Sequence, residues 1–328
     1  MAWQKKPNPK LRLLIRSALA FLVVVAFALT AFYLLALGRF DQLDGDERAG
    51  LVANGDAYSF AELSSGAVHY RLEGPAGAPV VVLIHGFSVP SFVWDQYIAP
   101  LNQAGFRVLA FDNYGRGFSD RPNVVYDAAL TDRLIIELLD SLDLAEPVHL
   151  VGYSMGGATA GVFVDRHPER IRSLTLIAPA GLGENGAPVW INTPIADWVF
   201  TVLGPTIATM RLREDVPTAS NPGDFISKFA GQFRYGGTSR ALLSTLRHYP
   251  FASLQDEMRG IGASGLPTLI IWGEDDETVP FEYSDRFAKR IPNARLAYFP
   301  GWGHAIPYAA PNLVLDVLLA HLAVVEEE

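Results

Sequence analysis

The stretch Pro147-Val148-His149-Leu150-Val151-Gly152-Tyr153-Ser154-Met155-Gly156 decides how this chain is read. Its first half is a short apolar run of the kind a buried strand needs, and its second half follows the pattern G-x-S-x-G. A strand that turns sharply into a helix holds the corner residue in a strained backbone conformation. Side chains two positions away on either side then have no room, and Gly152 and Gly156 meet that demand. A serine at such a corner has its oxygen lifted above the sheet edge. The free N–H groups of the following helix stand beside it and suit a developing anion. Small residues also surround serines in ordinary turns, so the motif needs support from elsewhere in the chain.

Four further segments supply it. Pro267-Thr-Leu-Ile-Ile-Trp-Gly273 reads as a buried strand and runs into Glu274-Asp275-Asp276-Glu277-Thr278-Val279-Pro280. Arg295-Leu-Ala-Tyr-Phe299 reads as another strand, followed by Pro300-Gly301-Trp302-Gly303-His304. Upstream, the apolar run Val80–Ile84 ends in His85-Gly86-Phe87-Ser88, and Phe111 opens the loop Asp112-Asn-Tyr-Gly-Arg-Gly-Phe-Ser-Asp120. Nucleophilic catalysis by serine needs a base to take its proton and a carboxylate to orient that base. These segments bring such residues to strand ends, where open parallel sheets place their active sites.

Taken together, the segments resemble the α/β-hydrolase superfamily over roughly Tyr58 to Leu322. The pentapeptide resembles its nucleophile elbow, and the others resemble its W-G-x-x-D-x-x-x-P, terminal G-H, H-G-x and D-x-x-G-x-G-x-S segments. The resemblance implies Ser154 as nucleophile, Asp276 as acid and His304 as base, in the family's chain order. It further implies the backbone N–H groups of Phe87 and Met155 as an oxyanion hole. For the loop after Phe111 it implies a tight turn and no chemistry. Asp275 and Glu274 are rivals to Asp276, and His248 is the rival base. His85, His69, His149, His167 and His321 read as structural.

Within the superfamily the chain looks like the lipase and esterase branch that includes membrane-anchored monoacylglycerol lipases. His85-Gly-Phe-Ser88, Gly152-Tyr-Ser-Met-Gly-Gly157 and Ala178-Pro-Ala-Gly-Leu182 carry that likeness. Many relatives have a glutamate five residues past the histidine, where this chain has Ala309, which weakens assignment to any one subfamily. The implied reaction is hydrolysis of a small-molecule ester or a lipid, with no cofactor and no metal. Carbon–carbon bond hydrolysis of a dienoic ketoacid and cofactor-free perhydrolysis use an equivalent triad and stay open. A non-catalytic binding protein on the same fold is the third class; such proteins usually lose a triad member, and here all three positions are filled. An elbow serine in place of aspartate speaks against haloalkane dehalogenases and epoxide hydrolases.

The N-terminus bears on where this chemistry happens. Residues 1–16 form a basic tail with Lys5, Lys6, Lys10, Arg12 and Arg16, and residues 17–38 carry no charge. As a helix the uncharged stretch spans about 33 Å, enough for a bilayer core. The basic tail leaves the N-terminus cytoplasmic and the catalytic domain outside. The rival reading is a signal peptide cleaved after Ala36-Leu37-Gly38, which would release a secreted protein, although its apolar core would be long for one.

The chain's formal charge is −9, and setting aside the five cations of residues 1–16 leaves −14 on the rest. An acidic body argues against nucleic acid as a partner. The chain has no cysteine, which excludes disulfides, thiol catalysis and cysteine metal sites. Residues 39–56 read as an acidic, solvated linker, because Asp44-Gly-Asp-Glu47 lacks calcium-loop spacing. The expected fold is a mostly parallel eight-stranded sheet with helices on both faces, built from residues 57–182 and 264–328. Residues 183–263 break the alternation and read as an inserted helical cap. It is rich in aromatics from Trp190 and Trp198 through Phe233 to Phe251, some of which would line an acyl pocket. Oligomeric state is not legible.

Overall fold

The computed structural model describes residues 9–53, 58–184, 187–216 and 221–327. Two helices come first, α1 (Pro9–Leu37) and α2 (Gly45–Ala53). One sheet follows, made of β1 (Ser59–Leu63), β2 (Gly66–Glu73), β3 (Val80–Ile84), β4 (Arg107–Phe111), β5 (Val148–Tyr153), β6 (Ile171–Ile177), β7 (Thr268–Gly273) and β8 (Arg295–Phe299). Its strand order is β1-β2-β4-β3-β5-β6-β7-β8. β2 runs antiparallel to β1 and β4, and the other pairs are parallel. The expected mostly parallel eight-stranded sheet is therefore present.

Between strands lie α3 (Asp95–Gln103), α4 (Ala128–Ser141) and α5 (Met155–Arg166). The cap region holds α6 (Pro194–Val202), α7 (Gly204–Asp215), α8 (Pro222–Gly231), α9 (Thr238–His248) and α10 (Gln255–Ser264). After β7 come α11 (Ser284–Arg290), the short α12 (Ile306–Ala309) and α13 (Pro311–Glu327). Helices α3 and α13 pack together against the sheet, while α4, α5, α10 and α11 form a second contiguous layer. On α4 the helical stripe Leu130, Leu134, Ile135, Leu138 and Leu139 is buried, and half-buried Leu142 just beyond it packs on the same core. Asp127 caps α4 by accepting from the Leu130 N–H at 2.9 Å, a contact worth about 1 kcal/mol.

β5 is buried along its whole length, and α5 behind it is buried from Met155 to Val164. A helix so enclosed must be slim. A side chain in place of Gly161 would strike Met258 of α10, and one in place of Gly157 would strike Pro179. Helix α10 thus packs on the core, although the expected boundary at 263 assigned it to the cap.

Residues 39–56 differ from the solvated linker expected of them. Asp44 Oδ1 accepts from the N–H groups of Asp46 at 3.1 Å and Glu47 at 3.0 Å, and this cap starts α2. The segment's charged side chains also find partners elsewhere in the chain: Arg234 donates to Asp41 at 2.8 Å, the Tyr235 hydroxyl to Glu47 at 3.0 Å, and Arg48 pairs with Asp120. The acidic run is docked because its partners lie far away in sequence. Lys5, Lys6 and residues 54–56 of the expected tail and linker lie outside the described residues.

Helix α1 contains a stretch from Arg12 to Leu37 that is long and apolar enough to cross a membrane, and none of it is buried by the protein. It packs on α6, where the Trp198 indole N–H donates to the backbone carbonyl of Leu29 at 3.0 Å.

Candidate active site

Ser154 is the corner between β5 and α5, with φ 54° and ψ −117°. A non-glycine residue at such angles costs about 1–3 kcal/mol unless its surroundings hold it there. Here they do. The Ser154 N–H donates to the Ile177 carbonyl at 2.9 Å, and its own carbonyl accepts from Gly157 at 2.9 Å and Ala180 at 3.0 Å. A Cβ on Gly152 would collide with the Gly156 carbonyl, and one on Gly156 with the carbonyl of Ile84. The two glycines let helix, corner and neighbouring strand close on one another.

Asp276 follows β7, and His304 follows β8. The structure brings both to Ser154: His304 Nε2 stands 3.0 Å from Ser154 Oγ, and His304 Nδ1 stands 2.7 Å from Asp276 Oδ2. The Asp276 carboxylate is buried, and its second oxygen accepts from the N–H groups of Thr278 at 2.9 Å and Val279 at 2.8 Å. An ionised carboxylate only accepts, so Nδ1 carries the imidazole proton and Nε2 offers its lone pair to the serine hydroxyl. Tyr153 steadies His304. Its hydroxyl donates to the His304 carbonyl at 3.0 Å, and burial pushes that phenol well above its ordinary pKa, so it stays a donor.

The rival residues are held differently. Glu274 and Asp275 are exposed and tie the loop through their backbone N–H groups, to Phe299 at 3.1 Å and Trp302 at 2.9 Å. His248 lies exposed on α9 and donates from Nδ1 to the Ser244 carbonyl at 2.8 Å.

Phe87 and Met155 flank the serine. Met155 opens α5, so its N–H is one of the donors a helix leaves without an internal partner. The loop carrying Phe87 leans on the elbow: a Cβ on Gly86 would stand 3.4 Å from that of Ser154. Two residues hold this loop. Buried His85 donates from Nδ1 to the Gly86 carbonyl at 2.7 Å and accepts at Nε2 from the Asn113 N–H at 2.9 Å. Burial lowers its pKa to about 4, which keeps the ring in the neutral form those bonds require. The Gly86 carbonyl and the Phe87 N–H are opposite ends of one trans peptide, so fixing the oxygen aims the N–H.

The second holder is Arg116, fully buried, which donates from Nε to the Phe87 carbonyl at 3.0 Å and from Nη2 to Thr245 at 2.8 Å. Burial lowers its pKa to about 10, so it remains charged near neutrality. Sequence reasoning gave the loop after Phe111 no part in the chemistry and missed this arginine. Its only signal there is a long cation between Gly115 and Gly117.

A cavity of about 630 Å³ opens over Ser154 and His304. Phe87 and Val89 line it from the core, and Phe200, Ala208, Leu212, Phe229, Phe233 and Leu242 from the cap. Glu214, Asp215, Asp275 and Glu277 face the same cavity with one cation, Arg211. Burial raises the pKa of Asp215, against the opposing pull of His304. Among the described residues no group of three or more His, Cys, Asp or Glu side chains is placed to hold a metal ion.

A family model described as alpha/beta hydrolase fold matches residues 79–311. A putative non-heme chloroperoxidase of Synechocystis sp. is 30% identical over 259 residues, covering 75% of this chain and 92% of the relative. The 2-hydroxy-6-oxo-6-phenylhexa-2,4-dienoate hydrolase of Comamonas testosteroni is 30% identical over 255 residues, covering 74% and 86%. Among solved structures, bromoperoxidase from Bacillus anthracis superposes with a TM-score of 0.70 at 22% identity, covering 81% of this chain and 99% of that one. A membrane phospholipase A superposes with a TM-score of 0.68 at 20% identity, covering 95% and 99%. At these identities the two superpositions speak for the fold alone.

Proposed function

The chain belongs to the α/β-hydrolase fold family, and from that premise we propose that it is a serine hydrolase of carboxylic esters, lipid-derived ones foremost. One observation carries the reading: Asp276, His304 and Ser154 form an unbroken relay at 2.7 and 3.0 Å, ending at a strained serine. In this reading His304 takes the Ser154 proton as Oγ attacks the ester carbonyl. The oxyanion forms against the N–H groups of Phe87 and Met155, each worth about a hundred- to a thousandfold in rate by analogy with other such donors. His304 returns the proton to the leaving alcohol, and an acyl-enzyme remains. Water activated by the same ring then releases the acid.

The cavity's chemistry supports a neutral substrate. Apolar side chains form part of its wall, and beside His304 its charged residues are four carboxylates against one arginine, a balance that repels a free carboxylate and tolerates an uncharged ester. The apolar α1 supports a membrane setting, with the N-terminus cytoplasmic and the hydrolase outside. Cleavage of that helix as a signal peptide is the rival outcome.

A second reading has its own support. The Comamonas relative is named as a hydrolase of a 2-hydroxy-6-oxodienoate, which suits the carbon–carbon bond hydrolysis left open by the sequence. Purified full-length protein in mild detergent decides between them. A fluorophosphonate probe should label the wild type and not Ser154→Ala, and monoacylglycerols and p-nitrophenyl esters should be hydrolysed faster than a 2-hydroxy-6-oxodienoate. Faster loss of the dienoate chromophore would favour the second reading. Absence of labelling would leave a binding protein.

A further inference from the structure

Helices α6 and α7 carry two apolar stripes on opposite sides. One side, with Phe200, Ala208 and Leu212, lines the cavity over Ser154. The other presents Ile195, Leu203, Ile207 and Met210, and the turn just before α6 adds Val189 and Trp190, with exposures from 42% at Leu203 to 87% at Val189. Single exposed apolar residues need no explanation, but a group of this size on consecutive segments does. Helix α1, which packs directly on α6, carries another large exposed apolar surface, so the two lie next to each other.

We propose that this outer face of the cap is inserted in the same bilayer that α1 crosses, so that the roof of the cavity sits at the lipid boundary. The depth follows from the contact with α1. Leu29, which accepts from Trp198, lies about 12 Å along the helix axis before Leu37, the end of the apolar stretch. If α1 spans the hydrocarbon up to Leu37, α6 reaches below the surface by a similar depth, close to the ~5–10 Å of interfacial helices. A tryptophan donating an indole N–H at that level satisfies its one polar group without water. The occupant is thus lipid, and the chemistry it delivers to the site is an acyl ester already dissolved in the membrane. A second protein copy on the same face would have to displace the lipid around α1. This inference rests on the ester-hydrolase reading for what is delivered, but the insertion itself does not.

The absence of native cysteine allows clean single-site labelling. Full-length chains carrying Ile207→Cys, Met210→Cys, Leu22→Cys or Ala145→Cys would be labelled with an environment-sensitive fluorophore and reconstituted in phosphatidylcholine vesicles containing lipid-borne quencher. Leu22 is in α1, and Ala145 is exposed at the turn leading into β5, the far end of that strand from Ser154. Labels at 207 and 210 should be blue-shifted and quenched along with that at 22, and the label at 145 should not. Quenching at 22 with none at 207 and 210 would overturn the proposal. As a second readout, Ile207→Glu with Met210→Glu should reduce turnover of a vesicle-borne ester about tenfold. The same variant should hydrolyse a water-soluble p-nitrophenyl ester as the wild type does, since neither residue lines the cavity. Equal turnover of both esters by variant and wild type would refute delivery from the membrane. A wild type inert toward both would strike the ester reading, while the labels still decide insertion.

Discussion

At the scale of single residues, the site depends on groups that hold peptides as much as on groups that react. Ser154→Ala should lower hydrolysis of p-nitrophenyl esters by about a thousandfold or more while the melting temperature stays level, read by initial rates and calorimetry. Activity within tenfold of wild type would remove Ser154 from its role. Arg116→Met should act through the Phe87 carbonyl it releases. The expected signature is kcat down about ten- to a hundredfold with KM within about threefold, since the oxyanion forms only in the transition state. A loss confined to KM would place Arg116 in substrate binding instead.

His85 supplies a pH prediction. Its folded pKa of about 4 lies below the ordinary 6.5, so the unfolded chain takes the proton first as pH falls. The stability it contributes is complete above pH 6.5 and is lost as pH drops toward 4, by at most about 3 kcal/mol. His85→Gln keeps a donor for Gly86 and an acceptor for Asn113 but does not titrate. Its melting temperature should therefore fall less between pH 6.5 and 4 than that of the wild type. Parallel curves would contradict this account. The proposed reacting side chains, which the fold brings together, were legible as candidates because each stands in a short motif at a strand end. Arg116 was not, because its partners Phe87 and Thr245 are remote in sequence.

At the scale of elements, the strands were legible for a plain reason. Buried parallel strands tend to be continuous apolar runs, as in β3 and β7, while β2 and β6 alternate apolar and polar residues over most of their length. The elbow is where local sequence and tertiary demand coincide. Gly152→Ala would drive a methyl group into the Gly156 carbonyl and separate β5 from α5. We expect a loss of about 3 kcal/mol or more, or no folded protein, measured by urea unfolding. A variant of wild-type stability would mean that the corner has slack. Helix α2 was missed although Asp44 and Glu47 stand at capping-box spacing, because the run of acids around them reads as solvated. The cap was legible as an insertion but not in its detail. Aromatics recur along it at helical spacing on more than one side, and only packing separates Phe229 and Phe233, which line the cavity, from Trp190, which faces outward.

At the scale of the whole molecule, charge and anchorage act together. The body's formal charge of −14, outside the basic tail, and the carboxylates around the cavity should slow the approach of anionic substrates. Raising salt from about 10 to 300 mM should increase kcat/KM for a carboxylate-bearing ester several-fold and leave an uncharged analogue unchanged. Equal responses would show that the field does not reach the site.

The hydrogen bond from Trp198 to Leu29 joins α1 to the cap and not to the strands that carry Ser154, Asp276 and His304. A change in the tilt of α1 therefore transmits torque to the ceiling of the chamber while its floor stands still. In the proposed membrane setting, thicker or thinner bilayers, which alter that tilt, should retune the entrance without disturbing the relay, and bilayer thickness would act as a gain control on the proposed turnover.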